Sequence, residues 1–410
     1  MPKRVCIVVS SFPTISETFI LNQIKFLIDS GYKVRILSTR DVDTLIGRHP
    51  VVEDYHLMDY ANTIDWEKHM PLNFLQRILG ALKELYKYRQ TPLFSNLLKS
   101  FNVLKYGRQA VNLVKFYQTL MAKFFIDGDI IHVHFALNAL PIIPLLDMIN
   151  PDVRLLVTFH GYDAFHYSKQ FYTPLLSSNI VSYTVNTPFL KEKVENLSFP
   201  KERVSILPVG LDTSQFNRGL RCGEVKGVFN VIFIGRLIPL KAPLLAIKII
   251  QRLQQLRNNC HLTIIGEGPE FTACQEHIVY HNLQNIVSMK GSMTQDQVKK
   301  ELSESHVFLF PGIIDGEGRS EAQGLVIQEA QAMELPVIVS DVGGMKYGMI
   351  NGETGFVVKE KDIEGFVEKL KWLMDHPEEQ QKMGKAARNF VVENYDNKVL
   401  GEKLIEIYES

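Results

Sequence analysis

The sequence predicts an α/β protein of two doubly wound domains, each a parallel sheet with helices on both faces. Short apolar runs recur in two series, one at 5–10, 34–38, 130–135, 153–159, 181–185 and 204–207, the other at 229–234, 261–265, 286–290, 307–310 and 337–340. Stretches of helical periodicity such as 18–30 and 243–256 lie between most of them, and strands separated by helices imply βαβ units. A polar segment, 212–227, divides the two series. The expected domains are 1–210 and 211–385, followed by a C-terminal helix over 386–410.

Composition narrows the function classes. A chain of 410 residues has ample length for large apolar cores. Its 45 basic and 45 acidic residues balance, so no overall field argues for a nucleic-acid partner. Cys6, Cys222, Cys260 and Cys274 show no C-x-x-C spacing and read as reduced thiols of a cytoplasmic protein. The N-terminus is basic, but the apolar run after Arg4 is too short for a signal peptide and reads as a buried strand. No run reaches the ~20 apolar residues that span a bilayer.

In the first domain, the opening strand is followed by Ser11, Phe12, Pro13, Thr14, Ile15, Ser16, Glu17 and Thr18, where the first helix begins. Residues 68–126 form a helical insert with ten Lys or Arg and one acid, Glu84. Leu75, Ile78, Leu79, Leu82 and Leu85 recur there at helical spacing, as do Val114, Tyr117, Met121 and Phe124. Two readings stay open. The insert covers the first sheet and keeps a solvated basic face, or it makes peripheral contact with an anionic membrane, at the inner face of the cytoplasmic membrane. The next two strands end near His132-Val133-His134 and His160-Gly161-Tyr162-Asp163, and open α/β sheets bind ligands at the carboxyl ends of their strands. His132 and His134 share one strand face, but no third ligand at metal spacing follows, so no metal is expected.

The second domain carries the clearer chemistry. Its first strand runs into Gly235-Arg236, with Lys241 five residues on. Fixed cations can stabilise a departing diphosphate without a metal; Arg offers a planar fork and Lys a mobile point charge. Alone, either would read as a solvated loop charge. Further on, Glu321 and Glu329 stand eight residues apart around Gly324-Leu325-Val326. Residues 311–320 read as a Gly- and acid-rich loop, 324–335 as a helix, and the run after Pro336 as a strand. Unpaired N–H groups and the dipole make a helix start an anion site, typically for phosphate. Flanking carboxylates would accept hydrogen bonds from sugar hydroxyls, so the pattern suits a sugar nucleotide.

Glu-x7-Glu around Gly-Leu-Val resembles the signature of the retaining glycosyltransferases of family 4. Over 229–358 other elements keep the family's order: Gly235-Arg236, Lys241-Ala242-Pro243, Gly266-Glu267-Gly268-Pro269, Lys290-Gly291, Asp341 to Gly344, and Gly355-Phe356. Segments 11–19, 131–136 and 158–163 resemble members that build exopolysaccharides such as colanic acid. The resemblance implies the GT-B fold, two Rossmann-like domains facing a cleft, with the terminal helix packing back on the N-terminal domain. It implies catalytic roles for His160, Arg236, Lys241 and Glu321. It implies nucleotide-sugar binding by Gly235, Arg236, Lys241, Gly266, Lys290, Glu321, Gly324, Leu325, Val326 and Glu329, with Glu321 toward the donor sugar and Glu329 toward the ribose. Glu17, Thr18, His134 and Asp163 are candidates for the acceptor. Three positions depart from the family: Ala322-Gln323 replaces a Gly-aromatic pair, and Ala242 replaces Gly.

The expected function is retaining glycosyl transfer from a nucleoside-diphosphate sugar, with no metal or other cofactor. The expected acceptor is a saccharide or lipid-linked saccharide in exopolysaccharide, capsule or lipopolysaccharide synthesis. A sugar-nucleotide epimerase of the same fold and a non-catalytic partner of a polysaccharide assembly complex remain as alternatives. A dinucleotide oxidoreductase would need G-x-G-x-x-G after the first strand, where Val9-Ser10-Ser11-Phe12-Pro13 stands instead. The chain has no G-x-x-x-x-G-K-[ST] loop, and a two-carboxylate glycosidase would not need the anion site at Arg236 and Lys241.

Overall fold

The computed structural model describes residues 3–14, 17–40, 50–148, 153–177, 181–217 and 227–410. Ile15, Ser16, Cys222 and most of the polar divider lie outside the described residues. The chain forms two compact units, one of Met1–Val185, Val194–Ser205 and Leu404–Ser410, the other of Asn186–Lys193 and Ile206–Lys403. The change of unit falls at 205/206 where 210/211 was expected, and of the tail 386–410 only Leu404–Ser410 belongs to the first unit.

The first unit is built on β1 (Arg4–Val9), β2 (Lys33–Ser38), β3 (Ala61–Thr63), β4 (Ile130–His134), β5 (Arg154–Phe159), β6 (Val181–Val185) and β7 (Val204–Ile206), in the order β3-β2-β1-β4-β5-β6-β7. Pairing from β3 to β6 is parallel. The chain starts at β1, winds outward to β3, and returns through the insert to β4, so β1 and β4 flank a point where strand order reverses. Val5, Ile7, Val8 and Val9 are all buried, as expected of a parallel strand covered on both faces. β3 gave no sequence signal because Ala61-Asn62-Thr63 is a three-residue edge strand without a large apolar side chain.

The second unit is built on β8 (Phe229–Ile234), β9 (Cys260–Ile265), β10 (Val287–Met289), β11 (Val307–Phe310), β12 (Val337–Ser340) and β13 (Gly355–Val358), in the order β10-β9-β8-β11-β12-β13. All its pairings are parallel. Phe233, Phe308 and Phe310 are fully buried in its core. Local signals fix its helices. Pro243 opens Pro243–Gln254, Thr294 and Gln297 form a capping box before Gln295–Ser303, and Asp362 caps Ile363–Asp375 by accepting from Gly365 N–H at 3.0 Å. The reversal point here lies between β8 and β11, the place where such sheets hold ligands.

The insert divides into two kinds of helix. Helix Val114–Leu120 faces inward, with Phe116, Tyr117 and Leu120 buried. Helix Phe74–Tyr88 buries only Ala81, and Leu75, Leu79 and Leu82 lie exposed. The reading of the insert as a cover for the sheet therefore fails for those leucines, because Arg77, Ala81 and Glu84 take the inward face. Among the described residues no helix is long and apolar enough to cross a membrane.

Candidate functional site

The loops after β8 and β11 meet at the reversal point of the second sheet. Ile313 N–H donates to Leu240 O at 2.8 Å, joining the two loops. Lys241 closes a short 3-10 turn, Pro239–Lys241. Its Nζ lies 2.6 Å from Glu321 Oε2 and 5.0 Å from the centre of the Phe310 ring at the end of β11. The Lys241 and Glu321 side chains are 14% and 16% exposed, so the pair is largely withdrawn from water. Burial alone would raise the Glu321 carboxyl. The charge and hydrogen bond of Lys241, with the backbone N–H groups of Gln323 and Ala322, outweigh it and hold the carboxyl below its ordinary range. Gly235 and Gly324 pack against this pair. A Cβ on Gly235 would lie 3.1 Å from Lys241 Cδ, and one on Gly324 would lie 3.3 Å from Glu321 Cγ.

Gly324 is also the N-cap of the helix Leu325–Ala332, at φ 77°, a left-handed conformation that favours glycine, and no side chain caps that helix start. Leu325 and Val326 form its first turn. The structure thus brings together Gly235, Lys241, Glu321 and Gly324, with Leu325 and Val326 next to them. Arg236 stands on the same turn as Gly235, exposed, with no side-chain hydrogen bond or ion pair among the described residues. Glu329 sits on the helix, partly buried, and burial raises its carboxyl to about 7 against the opposing charge of Lys299. Gly266 follows β9 and donates its N–H to Gly291 O at 2.8 Å. The exposed side chain of Lys290 is directed to Glu301, 3.3 Å away.

Of the departures from the family pattern, that at Gln323 has a structural explanation, whereas nothing in the structure favours alanine over glycine at 242. Ala242 adopts φ 53° and ψ 53° as N-cap of Pro243–Gln254, so a residue with a Cβ occupies a left-handed position. Such a conformation costs roughly 1–2 kcal/mol for a non-glycine residue. Ala242→Gly is expected to raise stability by about 1 kcal/mol, measurable as a higher urea midpoint. Gln323 is buried and brackets one peptide segment: its Oε1 accepts from Val209 N–H and its Nε2 donates to Val209 O, both at 2.8 Å. Its role is structural, holding the residues just after Glu321. Thr187, which the sequence did not mark, and Gly344, marked only within a motif, secure the neighbouring peptide. Thr187 Oγ1 donates to Ala322 O at 2.9 Å, and any Cβ on Gly344 would collide with that same oxygen.

In the first unit, His160 follows β5. Its ring lies 4.9 Å from that of Phe19, 4.6 Å from Phe135 and 5.3 Å from His134. His134 Nδ1 and His160 Nε2 are 3.1 Å apart and share a hydrogen bond. His132 bonds through Nδ1 to Tyr408 Oη at 2.7 Å and through Nε2 to Thr158 Oγ1 at 2.8 Å. Burial lowers His132 and His160 to about 3 and takes His134 well below its ordinary value, so all three are neutral. His134 and Asp163, expected at the acceptor, are wholly buried. Asp163 Oδ1 accepts from the His160 and Gly161 N–H groups at 3.1 and 3.0 Å, and Oδ2 accepts from Ala136 N–H at 3.0 Å. Both residues are bonded to His160. Glu17 and Thr18 begin the first helix, partly exposed, and burial raises the Glu17 carboxyl against a hydrogen bond from Thr14. Among the described residues no three His, Cys, Asp or Glu side chains gather to hold a metal ion.

Comparison with known families follows the same division. The profile Glycosyltransferase Family 4 matches residues 16–215, and Glycosyl transferases group 1 matches residues 223–390. The chain is a family 4-like glycosyltransferase of the GT-B type. This glycosyltransferase is 25% identical over 405 residues to the amylovoran biosynthesis glycosyltransferase AmsK of Erwinia amylovora, covering 97% of each chain. It is 22% identical over 407 residues to the putative colanic acid biosynthesis glycosyltransferase WcaL of Escherichia coli K12, covering 97% of this chain and 98% of that one. Its fold matches Anabaena Alr3699/HepE, solved with UDP, at TM-score 0.74 and 12% identity over 99% of both chains. The glycosyltransferase therefore shares the GT-B fold with a chain to which it is 12% identical.

Proposed function

We propose that the protein transfers a glycosyl group, with retention, from a nucleoside-diphosphate sugar to a saccharide or lipid-linked saccharide in exopolysaccharide synthesis. The observation that carries this reading is the withdrawn Lys241–Glu321 pair beside the uncapped helix start at Gly324. In this reading, the bond from the anomeric carbon to the diphosphate oxygen breaks as a bond to an acceptor hydroxyl oxygen forms, and the hydroxyl proton passes to the departing diphosphate. Charge develops on the diphosphate. Arg236, Lys241 and the first N–H groups of the helix neutralise it with no resident metal. Glu321, held ionised by Lys241, accepts from sugar hydroxyls and favours the positive charge that develops on the ring. Glu329 accepts from the ribose; two donating hydroxyls would favour its ionised form. His160 is neutral at working pH, so its part is a hydrogen bond or its backbone carbonyl near the reacting carbon, and not proton transfer. The names of AmsK and WcaL support the exopolysaccharide setting, and the UDP in HepE supports a nucleotide donor.

A panel of UDP-, GDP- and ADP-sugars should identify the donor by thermal shift. A ligand at about 100 times its Kd adds ~2.7 kcal/mol of stability. The stabilising donor, incubated with a lipid-linked saccharide, should yield a product whose anomeric configuration by NMR matches the donor's. Inversion would remove the retaining mechanism, and neither stabilisation nor transfer with any donor would remove the donor reading itself.

A further inference from the structure

The helix Phe74–Tyr88 turns its apolar side to water. Leu75, Leu79, Leu82 and Tyr86 follow the spacing i, i+4, i+7, i+11, which places them on one face. They are 69%, 67%, 58% and 69% exposed, and Leu72, just ahead of the helix, is 96% exposed. Soluble chains expose single leucines freely, whereas a contiguous apolar stripe marks an interaction surface. The helix is seated by its opposite face, where Tyr117 Oη donates to Arg77 O at 3.0 Å. The exposed stripe is therefore not a helix awaiting its own core.

Charge identifies the occupant. The insert carries ten Lys or Arg against one acid, whereas the rest of the chain carries 35 basic and 44 acidic residues. Lys83 and Lys87 lie one turn apart beside the stripe, and the Arg89 guanidinium stacks 3.9 Å from the centre of the Tyr86 ring. Leucines inward with Tyr, Lys and Arg at their margin is the arrangement of an amphipathic helix lying in a lipid interface. A second copy of this chain, packed stripe to stripe, would bring two basic inserts together at a cost in repulsion. We infer that this helix docks the protein on an anionic lipid bilayer, with Leu72, Leu75, Leu79 and Leu82 entering the headgroup boundary and Lys83, Lys87 and Arg89 meeting lipid phosphates. The docking stands apart from the donor chemistry. Only its consequence, that a lipid-linked acceptor is met at this surface, rests on the proposed function.

Co-sedimentation of the full chain with phosphatidylcholine vesicles, with and without phosphatidylglycerol, tests this. The chain should pellet with the anionic vesicles and be released by high salt. Lys83→Gln/Lys87→Gln should weaken binding about 25-fold, from about fivefold per charge. Leu75→Gln/Leu79→Gln/Leu82→Gln should weaken it at least about tenfold. Both variants should keep the wild-type melting curve and nucleotide-induced thermal shift, which excludes misfolding as the cause. Failure of the wild type to pellet with anionic vesicles at low salt would overturn the inference. So would wild-type binding by the leucine variant, or a dimer by light scattering that the leucine variant abolishes while vesicle binding is absent.

Discussion

Arg236→Ala is expected to lower turnover by about 10²–10³-fold, the usual loss when a fixed donor to developing charge is removed, and to leave the urea midpoint unchanged. The structure predicts that separation because the guanidinium is exposed and bonds to no described side chain, so its removal strands no partner. Lys241→Met should behave differently. Its ammonium is 2.6 Å from Glu321 in a largely withdrawn pair, and removing one member of such a pair leaves the other charge without compensation. Turnover should fall to a similar degree, and stability should fall with it. Glu321→Gln in the Lys241→Met background should restore much of the stability, since a neutral amide needs no counter-charge, but it should restore no activity. Denaturation curves and single-turnover rates on the four proteins decide the matter. If the double variant regains turnover, neither the Lys241 ammonium nor the Glu321 carboxylate takes part in the transfer. If Arg236→Ala keeps wild-type turnover, the anion site lies elsewhere.

The parts of this site that could be read from the sequence were those in which backbone form dictates residue type. Gly324 was legible because a helix start against Glu321 needs a left-handed residue without a Cβ, and Gly235 because Lys241 packs where a side chain would be. The strands of both sheets were legible as short apolar runs, apart from β3 and β13. One lacks large apolar residues and the other begins on Gly355 inside a loop-like motif. What could not be read were contacts that any of several residue types could supply at long range. Gln323 stood out only as a departure from the family pattern, yet it clamps Val209, 114 positions away. Asp163 and His134 were marked by their place at strand ends; that both are buried and bonded to His160 could not be read from the sequence. The insert's leucines fitted a core by periodicity alone, since a helical repeat gives the face without saying what lies against it.

Acid should destabilise the first unit steeply, through its histidines. His132 and His160, each near 6.5 in an unfolded chain, are held to about 3 by burial, and His134 lies well below its ordinary value. Above about pH 6.5 both states are neutral and the stability is complete. As pH falls toward 3, the unfolded chain binds protons that the folded chain refuses, so stability is lost with acidification across that window. Each histidine contributes up to ~1.4 kcal/mol per pH unit, and a domain with ~5–15 kcal/mol in total should unfold well before pH 3. Asp163 works in the opposite sense. Its carboxyl is raised by burial from 3.8 to about 6, so the folded form takes its proton first and regains some stability between those values. One group cannot offset three. His132→Gln isolates the effect: it removes the bonds to Tyr408 and Thr158, so stability at neutral pH should drop. Its stability should nevertheless depend less on pH, by about one proton. Urea titrations at about pH 7.5, 6 and 5 give that slope directly. If wild type and variant lose stability in parallel, His132 is not among the groups that set the acid limit of the fold.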